Sequence, residues 1–287
     1  EVRCQSAPGV GLGLIWRVSV GGGVWSHPSS ATLGYATPAI TGISGPRIGN
    51  LSTRGGDLIL LNGTDFGPLG TRVEASYRNA ALRGLAGVNY SAVECEVLTA
   101  HVVVGCKTAP GVGHTQQWAL SVVHWGVPHD QASPYSRDTT SYAPPVLRHV
   151  IPITTSGQLS TTGGDEILLN GSQFGPAHVN NYVTALYSNA ALLNLAGQTF
   201  SAINCSVLTH TSIRCVAAEG VGYNQRWLVL IGDQWSKASN LTTSYKRPRI
   251  DSIYPSRLET RGGEWVTLTG TDFGPADVMN VIHAVAV

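Results

Sequence analysis

Six asparagines stand in Asn-x-Ser/Thr triplets that contain no proline: Asn50, Asn62, Asn89, Asn170, Asn204 and Asn240. Such a triplet is the acceptor for N-linked glycosylation, in which the side-chain amide nitrogen takes the sugar. Thirteen asparagines among 50 serines and threonines in 287 residues would produce about two such triplets by chance, so six is an excess. Asn62 and Asn170 occupy the same place in successive repeats, where an apolar strand is expected to give way to a turn. Turn chemistry is the alternative reading there, with Gly63 and Gly171 supplying a positive φ and asparagine capping.

Other chemistry-bearing patterns lead nowhere. Gly9-Val10-Gly11-Leu12-Gly13 has the look of part of a dinucleotide loop, yet it follows a cysteine and recurs as Gly111-Val112-Gly113 and Gly220-Val221-Gly222. A turn is the expectation. Asp65-Phe66-Gly67 and Asp272-Phe273-Gly274 copy the kinase triplet without any other kinase element, and strand-end turns are expected. His124 and His129 have no third ligand at metal spacing and do not recur, so no metal centre is expected. No serine, histidine and acid set repeats either. The chain is expected to be no enzyme, to hold no cofactor, and to carry covalent N-linked glycans instead.

The elements that must position these asparagines come from a repeat. A Gly-Gly-acid step (Gly55-Gly56-Asp57, Gly163-Gly164-Asp165, Gly262-Gly263-Glu264) leads into an apolar strand and then into Asn62-Gly63-Thr64-Asp65-Phe66-Gly67-Pro68, Asn170 through Pro176, and Gly270 through Pro275. A second marker joins Cys4 to Trp16, Cys106 to Trp118 and Cys215 to Trp227, twelve residues apart each time. Both recur at about 100 residues, too long for a solenoid unit and right for a small domain. Pro38, Pro145 and Pro248 each open an alternating strand. The expected organisation is a C-terminal half-module at 1–37, whole modules at 38–144 and 145–247, and an N-terminal half-module at 248–287. A segment of a longer tandem array is expected. The rival reading has the tail of one chain completed by the head of the next, a heterologous contact that does not close and so makes a fibre.

Within a module the pattern is all β. Asp57–Asn62, Glu166–Asn170 and Trp265–Thr269 are short apolar or alternating runs bounded by glycine pairs, and Trp118–Val123 and Trp227–Ile231 repeat the pattern later. About seven strands in a hundred residues make a two-sheet sandwich. The segments after Asn79 and Asn189 are read as single helical turns within a loop. Short links predict stiffly held neighbours. Lys, Arg, Asp and Glu together number 35, about half the usual share. The net charge of +1 offers no field for nucleic acid, and no run reaches the 18 apolar residues of a membrane span.

A start of Pro-x-Ile-x-x-Ile at Pro38 and its near copies, then Thr-x-Gly-Gly-Asp-x-Ile-x-Leu-x-Gly-x-x-Phe-Gly, then Cys-x-Val-Leu-Thr, resembles the IPT/TIG domain, the immunoglobulin-like module of plexins and fibrocystin-like receptors. The resemblance covers the whole chain, in two full and two partial copies. It implies tandem immunoglobulin-like β-sandwiches and specifies fold more than function.

The cysteines agree with that family's pattern. Cys95 and Cys106, and Cys205 and Cys215, flank equivalent strand-turn-strand segments, which predicts one disulfide inside each whole module. Cys4 matches the second cysteine of such a pair and is expected to be unpaired within this segment. Five buried free thiols are the alternative. Disulfides would place the chain in an oxidising, extracellular compartment. Trp16, Trp118 and Trp227 are expected in cores, and Trp25, Trp125 and Trp235 at module-to-module contacts rather than on sugars. The functional expectation is a structural protein of an extracellular glycosylated filament or surface appendage, its partners being copies of itself or adjacent modules. The ectodomain of a large receptor or adhesin is the alternative.

Overall fold

A computed structural model describes residues 1–79, 81, 88–123, 131–177, 183–189, 199–276 and 284–286. The helical turns read after Asn79 and Asn189, and His124, Trp125 and His129, lie outside the described residues. The chain forms two compact units, Glu1–Ala143 and Pro144–Val287.

The first unit contains β1 (Ser19–Val20), β2 (Val24–Trp25), β3 (Ala39–Ser44), β4 (Leu58–Thr64), β5 (Arg72–Arg78), β6 (Tyr90–Ser91), β7 (Val93–Thr99), β8 (Val103–Lys107), β9 (Gln116–Val123), β10 (Gln131–Ala132) and β11 (Thr139–Thr140). One sheet has the order β3-β4-β8-β7 and the other β10-β9-β5-β6, with β11 also on β9; β1 and β2 form a separate hairpin. The two larger sheets are antiparallel throughout. Alternation decides which side faces in, since successive strand residues point to opposite faces. Ile59, Leu61, Val104 and Cys106 from one sheet meet Val73, Ala75, Tyr77, Trp118, Leu120 and Val122 from the other in a single buried cluster.

The second unit contains β12 (Val146–Pro152), β13 (Glu166–Ser172), β14 (Val183–Ser188), β15 (Phe200–Ser201), β16 (Ile203–Thr209), β17 (Ser212–Val216), β18 (Arg226–Ile231), β19 (Gln234–Trp235), β20 (Arg249–Tyr254) and β21 (Thr267–Thr271). Its sheets run β12-β13-β17-β16 and β15-β14-β18-β19, the same connectivity as in the first unit, and β20 pairs with β21. Ile167, Leu169, Ala185, Tyr187, Ile213, Trp227 and Val229 are buried where their counterparts are.

The repeated marker after β4 explains itself in space. Asn62-Gly63 lies inside the strand, and Gly63 is not at positive φ, so the turn reading of that pair gives way. A Cβ on Gly63 would lie 2.0 Å from the Ala39 carbonyl oxygen and 2.4 Å from Phe66 Cζ; on Gly171 it would lie 1.9 Å from the Val146 carbonyl oxygen and 2.6 Å from Phe174 Cζ. Glycine is there because strand β3 or β12 and the tip of a buried phenylalanine share its space. The turn itself comes later, at Asp65 and Gln173, which adopt φ of 62° and 63°. The acid of the Gly-Gly-acid step is a latch: Asp57 Oδ2 accepts the Ser52 amide, Asp165 Oδ2 the Ser160 amide and Glu264 Oε2 the Glu259 amide, closing the turn that feeds the strand.

Candidate functional site

The acceptor asparagines fall into two groups. Asn50, Asn89, Asn204 and Asn240 are exposed. Asn62 and Asn170 are half-buried, on β4 and β13, sharing a sheet face with Leu60 and Leu168 rather than with the core-facing Leu61 and Leu169. Asn62 Nδ2 donates to Ser44 Oγ at 3.2 Å across the sheet, so a sugar attached there would take the place of one of the two hydrogens on an amide nitrogen that already makes an exposed hydrogen bond. Asn204 adopts a φ of 52° at a register shift between β16 and β17.

Each cysteine pair joins an edge strand to its inner neighbour. Cys95 bonds to Cys106 and Cys205 to Cys215, each with a Cα separation of 4.1 Å, stitching β7 to β8 and β16 to β17. Cys106 and Cys215 are fully buried, which carries each bridge into its core. Cys4 is exposed and outside any disulfide. Among the described residues no group of histidine, cysteine and acid side chains could hold a metal ion.

Each core is closed by a tyrosine pair that the sequence reading missed. Tyr77 and Tyr142 hydroxyls meet at 2.6 Å, Tyr142 donates to the Ala109 carbonyl at 2.7 Å, and the Ala109 amide donates to Tyr77 Oη at 2.8 Å. Tyr187, Tyr245 and Ala218 repeat this arrangement. Burial pushes the hydroxyls of Tyr77, Tyr142, Tyr187 and Tyr245 above the ordinary tyrosine range, and within each pair a second charge would face the first. Trp118 stacks on Tyr77 at 4.2 Å and Trp227 on Tyr187 at 4.1 Å, while each indole N–H donates to a buried threonine, Thr140 or Thr243. Residues 1–37 keep the same lock in part, since Tyr35 donates to the Ala7 carbonyl at 2.6 Å. A Cβ on Gly9, Gly111 or Gly220 would strike the ring or hydroxyl of Tyr35, Tyr142 or Tyr245, which is why the Gly-Val-Gly marker recurs. The available signal was a tyrosine three residues before Pro38, Pro145 and Pro248.

Two facing β-sheets, one disulfide per sandwich and a tyrosine-tryptophan plug are now in place. The chain is built from immunoglobulin-like β-sandwiches. No family model matches it, and no curated protein does. Solved structures that resemble it include the plexin A4 extracellular region, at 13% identity over 73% of this chain and 18% of that one, with a TM-score of 0.28. A structure with a xylogluco-oligosaccharide matches at 14% identity, 83% and 48% coverage and a TM-score of 0.38. SGBP-B from a complex xyloglucan utilization locus of Bacteroides uniformis matches at 11% identity, 73% and 49% coverage and a TM-score of 0.25. The chain spans between 18% and 49% of those proteins, too little and too distantly to carry ligands or partners across.

Within the first unit residues 1–37 abut the sandwich that follows them. Gln131, 3% exposed, accepts the Gly11 amide at 2.9 Å through Oε1 and donates to the Tyr35 carbonyl at 2.7 Å through Nε2. Val10 packs beside Gly67, where an added Cβ would come within 2.6 Å of Val10 Cγ1. The tryptophan expectation fails here. Trp25 is 64% exposed, because this contact is made by small residues and one amide clamp, and Trp235 in the second unit is 46% exposed. Trp16 is also 44% exposed rather than buried, since among the described residues of 1–37 there is only the β1–β2 hairpin and no second sheet to cover the indole.

Proposed function

We propose that this chain is a segment of an extracellular structural protein, a glycosylated filament or surface appendage built from tandem IPT-type modules and performing no catalysis. The observation that carries the reading is the disposition of the six acceptor asparagines: four are exposed, and two occupy equivalent outer-face positions on β4 and β13. A surface this poor in charge needs another source of hydration, and bulky glycans supply one. The two disulfides support an oxidising compartment. Rigidity has local sources in the sandwiches, their sulfur bridges and the Gln131 clamp, all of which would resist extension.

Partners in this reading are adjacent modules or copies of the chain arranged head to tail, and the only non-protein groups are covalent N-linked glycans. Electron microscopy of the material from its source tests it. Filaments with an axial repeat of a few modules are expected, whereas monomeric particles that capture a soluble ligand would instead favour the ectodomain of a receptor or adhesin.

A further inference from the structure

In the second unit a pocket of about 500 Å³ opens beside Tyr245, lined by Gln158, Tyr223, Asn224, Ser244, Lys246 and Arg247 among others. That volume lies within the range of small-ligand sites. The backbone around it is tied down. Tyr245 N–H donates to the Gly222 carbonyl at 2.9 Å, Lys246 N–H to the Leu159 carbonyl at 2.8 Å, and Asn224 N–H to Ser244 Oγ at 3.2 Å; Asn189 Nδ2 donates to the Tyr223 carbonyl.

The first unit provides an internal comparison. There the same frame recurs, with Tyr142 N–H on the Gly113 carbonyl, Ala143 N–H on the Leu51 carbonyl and Thr115 N–H on Ser141 Oγ. The side chains differ: Asn50, His114, Thr115, Ser141, Ala143 and Pro144 stand where the second unit has Gln158, Tyr223, Asn224, Ser244, Lys246 and Arg247. The fold therefore builds this corner without fixed cations, and nothing structural requires Lys246 or Arg247. Both are exposed, and neither forms an ion pair among the described residues, whereas the nearby Arg249 is paired with Asp251. Asp165 and Glu219 face the Tyr245 hydroxyl, but neither lines the pocket.

We propose that this pocket binds an anionic saccharide, with a uronate carboxylate held by Arg247 and Lys246 and a sugar ring against Tyr223. The chemistry of the lining selects that class. Arginine presents a planar fork that matches a carboxylate, and lysine adds a point charge. Tyr223, 56% exposed, offers an aromatic face to the apolar side of a sugar ring. Gln158, Asn224 and Ser244 provide amides and a hydroxyl for the ring hydroxyls; Ser244 Oγ already accepts the Asn224 amide, which leaves its proton free to donate. Apolar depth for a lipid tail or a large hydrophobic side chain is absent from this lining, where Pro248 is the sole aliphatic side chain. The proposal stands independently of the filament reading.

The test is calorimetric titration of the full chain with trigalacturonate in low-salt buffer, beside its methyl ester and citrate. Saturable binding of trigalacturonate is expected, weakened about tenfold by high salt, by the pair Lys246→Gln and Arg247→Gln, or by loss of the carboxylate in the ester. Tyr223→Ala is expected to weaken it as well. The substituted side chains are all exposed, and an unchanged urea midpoint establishes that the variants fold. Absence of binding up to about 10 mM, equal binding of citrate or of the ester, or an unaffected double variant or Tyr223→Ala variant would overturn the proposal.

Discussion

Alkaline pH should dismantle these sandwiches through their tyrosines. In the first unit Tyr77 and Tyr142 are buried, share a hydrogen bond and have hydroxyls held well above the ordinary value of 10.0; Tyr90 is raised too. A group whose folded pKa is raised contributes stability that is fully present below the unfolded pKa. As pH climbs past 10 the unfolded chain releases these protons while the folded chain keeps them, so stability falls until the folded values are reached. At pH 11 each tyrosine held neutral by the fold has removed about 1.4 kcal/mol, so Tyr77 and Tyr142 together remove about 2.8 kcal/mol. Against a usual denaturant slope, that is a loss of about 1–2 M in urea midpoint between pH 9 and pH 11. Urea unfolding across that range, followed together with tyrosinate absorbance, is the assay. The buried tyrosines are expected to contribute no tyrosinate signal until the unfolding transition, and Tyr142→Phe is expected to flatten the pH dependence by about half. A flat urea midpoint from pH 9 to pH 11, or full tyrosinate absorbance in the folded protein, would refute the reasoning.

Three further outcomes are expected. Gly63→Ala and Gly171→Ala should each destabilise their sandwich by about 1–3 kcal/mol, read as a lower urea midpoint, because the new methyl meets a backbone carbonyl and a buried phenylalanine ring. Gln131→Ala should strip two buried partners from Gly11 and Tyr35 and raise the rate at which protease removes residues 1–37, with the Trp118 core unaffected; equal cleavage rates would show that the clamp is dispensable. Replacing Cys95 and Cys106 together by alanine should cost about 3 kcal/mol in denaturant titration, and a change within error would mean the bridge adds nothing to β7–β8.

Much of the fold was legible because backbone-level demands leave marks on sequence. Gly-Gly-acid turns, alternating strands and fixed Cys-to-Trp spacing each reflect a local geometric need, and they locate the strands and the bridges. What escaped was long-range. Tyr142 meets Tyr77 across 65 residues, and no local pattern announces a partner that far away. Gly63 and Gly111 were read as turn residues, although they serve as space for Phe66 and Tyr142, a role visible only once the strands pack. Trp25 and Trp235 were placed at module contacts from their recurrence, but a two-residue hairpin strand is too short for its sequence to reveal which side is covered. Asn62 is a strand residue facing outward; its triplet was readable, its exposure only from the alternation of β4.

The central claim is that sugar, not charge, clothes this surface. Intact mass of the protein from its source, before and after enzymatic release of N-linked glycans, tests it most directly. A large mass loss is expected, with aspartate appearing in place of asparagine at Asn50, Asn62, Asn89, Asn170, Asn204 and Asn240. An unchanged mass with all six asparagines unmodified would contradict it.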